Sequence, residues 1–103
     1  MLPIKLDDEI EFNPERARTK MLVDSPAFRA VLFCLEEGQG VPRHVSPAEV
    51  VMFVYKGSGS FVVGEGEFKM KEGEMITSRP NEPHGFRSDG ERMVILALII
   101  NGQ

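Results

Sequence analysis

The chain has 103 residues, a formal net charge of −4, and a composition that is 42% hydrophobic and 27% charged, as for one globular domain and not for a disordered tail. With no run of Lys or Arg, the acidity argues against the concentrated basic face that a nucleic-acid partner requires. The longest apolar run, Met93 to Ile100, falls short of the ~18 residues of a membrane span, and the N-terminus lacks the apolar core of a signal peptide, so one cytoplasmic domain over residues 1–103, without membrane partners, is expected.

Short runs of Val, Ile, Phe and Met alternate with Gly, Pro, Asn, Asp and Ser, the pattern of a sandwich or barrel of many short strands. In chain order the predicted strands are Glu9 to Phe12, Ala17 to Val23, Phe28 to Leu35, Val50 to Lys56, Ser60 to Val63, Glu67 to Lys71, Met75 to Ser78, His84 to Arg87 and Arg92 to Ile100. Asn13-Pro14 and Ser25-Pro26 break the chain between early strands, because proline fixes its own φ and biases the residue before it toward extended backbone. Gly64-Glu65-Gly66 reads as a hairpin tip. In the alternation Phe68-Lys69-Met70-Lys71, Phe68 and Met70 fall on one face and the lysines on the other. Val94 to Ile100 has almost no polar alternation, so cover on both faces is expected, with a second subunit as one source. The lone Cys34 excludes an internal disulfide, and its apolar run Ala30 to Leu35 suggests a small buried hydrophobe.

From Gly38 to Gly57 the sequence reads Gly-Gln-Gly-Val-Pro-Arg-His-Val-Ser-Pro-Ala-Glu-Val-Val-Met-Phe-Val-Tyr-Lys-Gly. This resembles the first motif of the cupin superfamily, G-x5-H-x-H-x3-E-x6-G, with Gly38, His44 and Gly57 in register. Ser46 stands at the second histidine position and Val50 at the glutamate position. From Gly73 to Ser88 the chain resembles the second motif, G-x5-P-x-G-x2-H-x3-N, with Gly73 and His84 in register. There Arg79 takes the proline position, Asn81 the glycine position and Ser88 the asparagine position, while Pro80 and Pro83 supply a stiff turn before the histidine. The resemblance implies a small, single-domain, all-β cupin fold, a double-stranded β-helix or jelly-roll-like barrel.

In that family, alternate residues of one strand offer imidazoles and a carboxylate to a cation, and a histidine of a neighbouring strand closes the site. By parity His44, Ser46, Ala48, Val50 and Met52 share the inward face, whereas Arg43, Val45 and Glu49 face outward unless a β-bulge shifts the register. The resemblance makes His44 and His84 candidate ligands for a divalent transition metal (Zn, Ni, Cu, Fe or Mn). Catalytic zinc sites usually keep three protein ligands, however, so the metal site is read as degenerate. In the other reading the two histidines are a remnant pair in a metal-free barrel, hydrogen-bonded to Ser46 or to a ligand.

The candidate ligand-binding residues are His44, His84, Ser46, Arg43, Met52 and Phe86. Arg43, Arg79 and Arg87 lie close enough in sequence to the histidines to grip a carboxylate or phosphate at a barrel mouth; the alternative is solvated turn residues. Phe53, Phe61 and Phe86 line an apolar pocket or simply fill the core. Three functions follow: a barrel binding a small polar or anionic organic molecule; a metal-dependent enzyme of the dioxygenase, isomerase or decarboxylase type; and a structural or regulatory homodimer joined through the outer strands.

Overall fold

In the computed structural model, which describes residues 2–101, a one-turn helix α1 (Leu6–Glu9) precedes seven strands. These are β1 (Arg18–Asp24), β2 (Phe28–Leu35), β3 (Gly40–His44), β4 (Glu49–Val63), β5 (Gly66–Lys71), β6 (Met75–Ser78) and β7 (His84–Ile100). Every pairing is antiparallel; the order is β1-β2-β7-β4-β5, with β3 also on β7 and β6 also on β4.

Two pairs of predicted strands are each one long strand. β4 unites Val50 to Lys56 with Ser60 to Val63, and β7 unites His84 to Arg87 with Arg92 to Ile100. They run against each other from Glu49 opposite Ile100 to Val63 opposite His84, with register breaks at Val54/Lys56 and Gly57/Gly59. The breaks bend the pair: one half of β4 and β7 joins β2 and β6, the other joins β3 and β5. Gly57 sits at this bend with φ +78°, where an added Cβ would lie 1.9 Å from the Arg92 carbonyl oxygen.

Both halves turn their apolar faces to one core. Met52, Val54, Ile95 and Ala97 from one half meet Phe61, Met70 and Phe86 from the other, and Leu35, Met52, Val54, Phe61, Met93 and Ile95 are fully buried. Phe86 stands edge-on to Phe33 at 5.2 Å between ring centroids and tilted on Phe61 at 5.4 Å, arrangements that suit the ring quadrupoles. The predicted wall on β5 is seen in part, with Met70 buried, Phe68 half-exposed at the edge, and Lys69 and Lys71 in solvent.

The predicted strand Glu9 to Phe12 does not form. Leu6 and Ile10, four residues apart, lie on one side of α1 and its continuation, and with Phe12 they pack on Leu32, Cys34 and Val94 from outside the sheet. The polar residues of this strap bind the strands it crosses. Tyr55 donates to Asp7 at 2.8 Å, Lys20 pairs with Glu11 at 2.8 Å, Gln39 donates to the Asn13 carbonyl at 2.7 Å, and the Arg92 guanidinium lies 4.3 Å over the Phe12 ring. The outer cover of Val94 therefore comes from the chain's own N-terminal segment. The same cover buries Cys34 and pushes its thiol pKa up, removing the thiolate that reactivity needs. Among the described residues no helix is long and apolar enough to cross a membrane.

Candidate functional site

The expected single inward-facing strand from His44 to Met52 is interrupted. Residues 45–48 form a turn between β3 and β4, so strict alternation does not carry across it. Val50 and Met52 point into the core, and Glu49 is exposed on the opposite face as expected. His44 reaches its position differently. β3 pairs Val41 with Phe86 and His44 with His84, and the register shifts by one residue between them. That bulge turns His44, and not Arg43, to the same side as His84.

The two imidazoles meet edge to face, with centroids 4.4 Å apart and planes at 61°. His84 is buried and His44 exposed, so the pair marks one rim of the barrel. Each ring is oriented through the backbone two residues before it. His44 Nδ1 lies 2.9 Å from the Pro42 carbonyl oxygen, and His84 Nδ1 lies 3.1 Å from that of Glu82. A carbonyl oxygen only accepts, so the Nδ1 of each ring is placed to donate, and in that neutral tautomer each Nε2 presents a lone pair. Ser78, fully buried, sits 3.1 Å from His84 Nδ1 and donates to the Glu82 carbonyl at 3.0 Å, which fixes the ring further. Ser78, and not Ser46, is thus the hydroxyl beside the histidines. Nothing in the local sequence marks it, because the contact depends on β6 ending beside the start of β7.

Ser46 uses its hydroxyl to accept from the Ala48 amide at 3.1 Å, and its carbonyl accepts from the Asn81 amide at 2.8 Å. This joins the two motif loops. Asn81 has φ +67°, the only non-glycine residue with positive φ among those described, so the second motif's glycine position is filled here by a residue type that, glycine apart, tolerates the left-handed region well. Asn81→Val is expected to lower unfolding free energy by about 1–2 kcal/mol, since a β-branched side chain resists this φ. Asn81→Gly should stay within ~0.5 kcal/mol, both read from urea midpoints.

Arg43 Nη2 donates to the Gly64 carbonyl at 2.7 Å, bracing the rim against the β4–β5 hairpin. Arg79 is exposed in the turn before Pro80, its amide donating to Glu82 Oε1 at 3.0 Å. Arg87 points out of the barrel beside Asp89. Phe86 and Met52 are buried in the core, Phe86 two residues along the same face from His84. Ser88, at the asparagine position, is buried and donates to the Glu36 carbonyl at 2.6 Å, which makes it a clamp and not a rim group.

As a metal centre the set is short of donors. Among the described residues no group of three or more His, Cys, Asp or Glu stands close enough to hold an ion. The arrangement offers two adjacent hydrogen-bond acceptors on a rigid backbone frame.

A family model described as a cupin domain matches residues 31–100. No curated protein matches the chain. Among solved structures, a protein from Thermus thermophilus is 24% identical and superposes with a TM-score of 0.93 over 97% of both chains. An RmlC-like cupin protein from Desulfovibrio desulfuricans is 26% identical, with a TM-score of 0.87 over 97% of this chain and 96% of that one. A DMSP lyase from Ruegeria pomeroyi is 21% identical, with a TM-score of 0.78 over 84% of this chain and 48% of the other.

Proposed function

The chain belongs to the cupin domain family, and on that premise we propose that it is a binding barrel whose rim takes a small polar or anionic organic molecule on His44 and His84. One observation carries this reading: two imidazoles in contact, each with Nδ1–H engaged by a backbone carbonyl, leave two Nε2 acceptors for a ligand. A ligand hydroxyl donates to such a nitrogen; after taking up a proton the same nitrogen donates to a carboxylate. Arg43, turned to the other side and held by the Gly64 carbonyl, braces this rim from outside. Phe86, two residues along the same face from His84, is packed into the core with Met52 and Phe61, so the ligand rests at the mouth.

The metal-dependent reading, with dioxygenase, isomerase or decarboxylase chemistry, needs donors beyond the two histidines, and among the described residues no third His, Cys, Asp or Glu stands with them. A cytoplasmic homodimer is the assembly we propose, through the part of the outer sheet face that the N-terminal strap leaves open.

A thermal-shift screen of organic acids and sugars tests the binding reading, with elemental analysis of the same protein purified without chelator. At least one compound is expected to raise the Tm of the wild type; a ligand at a hundredfold its Kd adds about 2.7 kcal/mol of stability. The shift should disappear in His44→Ala, whose exposed side chain the fold can lose. A flat screen, or near-stoichiometric metal that vanishes in His44→Ala, would overturn it, the latter in favour of the enzyme.

A further inference from the structure

On the outside of the barrel, register aligns two rows of residues across β5, β4, β7 and β3. In the first, Glu67 is opposite Val62, and Val62 is opposite Gly85. In the second, Lys69 is opposite Ser60, Ser60 opposite Arg87, and Arg87 opposite Gly40. Paired residues share a face, and Phe61 and Phe86, one position along, point into the core; both rows therefore face out. A cleft of about 390 Å³ opens over these rows, lined by Gly40, Pro42, Ser60, Val62, Glu67 and Arg87 together with Val41 and Phe86.

The cleft has Val62 and Pro42 in its lining, with Glu67 on its β5 side and Arg87 on its β7 side. Ser60, buried at the floor, donates to Asp89. Asp89 also holds Arg87 Nη2 at 3.5 Å and Lys69 Nζ at 3.6 Å. The Ser60 hydroxyl, then the nearby cations, keep the Asp89 carboxyl below the usual carboxylate range. Asp89 thus steers Arg87 from one side and leaves its remaining donors to the cleft. Among the described residues Glu67 enters no salt bridge. Glu67 lies two strand steps from Gly85 on β7, roughly 9.6 Å at ~4.8 Å a step, and Arg87 stands two residues further along β7, so their backbones are about 12 Å apart, a gap that the two long side chains and one small molecule can close. A simple anion there would face Glu67, and a simple cation would face Arg87; a molecule carrying both charges satisfies each side.

We propose that this outer cleft is a second binding site, separate from the histidine pair, for a small zwitterion: an α-amino acid with an apolar side chain. Arg87 pairs with its carboxylate, Glu67 accepts from its ammonium group, and Val62 and Pro42 face its side chain.

Titration of the ¹⁵N-labelled full chain with L-leucine tests the site. Amide shifts are expected to centre on Gly40, Ser60, Val62, Gly85 and Arg87. Arg87→Ala and Glu67→Gln, both at exposed side chains, should each weaken binding about tenfold or more, the scale of one charged hydrogen bond, while His44→Ala leaves it unchanged. Absence of shifts, equal affinity in wild type and both charge variants, or shifts centred on His44 and His84 would overturn the proposal. The last result would assign leucine to the rim, so failure here is separable from failure of the rim reading.

Discussion

Gly57→Ala is expected to lower the unfolding free energy by about 2–5 kcal/mol, enough to raise the unfolded population roughly thirtyfold or more. Two costs combine. The left-handed region costs an L-residue roughly 1–2 kcal/mol, and φ at Gly57 is +78°. The new Cβ would also lie 1.9 Å from the Arg92 carbonyl oxygen and 3.0 Å from the Met93 Cα, backbone atoms held by the β4–β7 ladder that cannot rotate away; overpacking of this kind typically costs another 1–3 kcal/mol. Against a domain stability of ~5–15 kcal/mol that is a large fraction. Gly73→Ala isolates the first cost, because Gly73 has φ +90° and nothing within 4 Å of the added carbon. Urea unfolding of both variants should show Gly57→Ala losing clearly more. Equal losses would mean that the β4–β7 bend relaxes freely around Gly57.

Phe61→Ala is expected to cost about 3–5 kcal/mol, the range for removing a buried aromatic ring where the surroundings collapse only partly. Phe61 is fully buried, and its ring supports Phe86, which in turn meets Phe33. Strands on both halves of the barrel converge on this cluster and are held in place by their ladders, so little can move into the void. Phe61→Leu should cost clearly less, since it keeps most of the volume. The measurement is again the urea midpoint at constant m-value. A loss under ~1 kcal/mol for Phe61→Ala would show an interior loose enough to admit a ligand beside Phe61, and would move the binding reading from the rim to the lumen.

Much of the architecture was legible because it depends on local chemistry. Proline and glycine positions marked the turns, alternation marked β5, and the motif frame brought out Gly57, His44, Asn81 and His84. The structure supplies a physical reason for two of these, the bend at Gly57 and the left-handed turn at Asn81. The rest depends on contacts between residues far apart in sequence. Glu9-Ile10-Glu11-Phe12 alternates as a strand does, and Ile10 and Phe12 do share an apolar surface, but no neighbouring strand pairs with that backbone. Parity from His44 to Met52 assumed one continuous strand, whereas a turn and a bulge intervene. Ser78 joins the site only because β6 ends beside His84, and Arg87 leaves it because every second residue of β7 faces outward. At the rim, the sequence identified the histidines but not what orients them.

The order of the strands has a consequence for how the chain comes off the ribosome. β7, the last strand, lies inside the sheet and pairs with β2, β3 and β4. Until residues 84–100 emerge, β2 and β4 each carry an unpaired edge and the core lacks Met93, Ile95 and Ala97. The earlier strands therefore cannot settle as an independent unit, and folding waits for long-range pairing between the two ends of the chain, the contact pattern of a slow folder with aggregation-prone intermediates. The exposed charges on β1 and β5, Arg18, Lys69 and Lys71 among them, stand on strands that each have one free edge, where charge discourages edge-to-edge association.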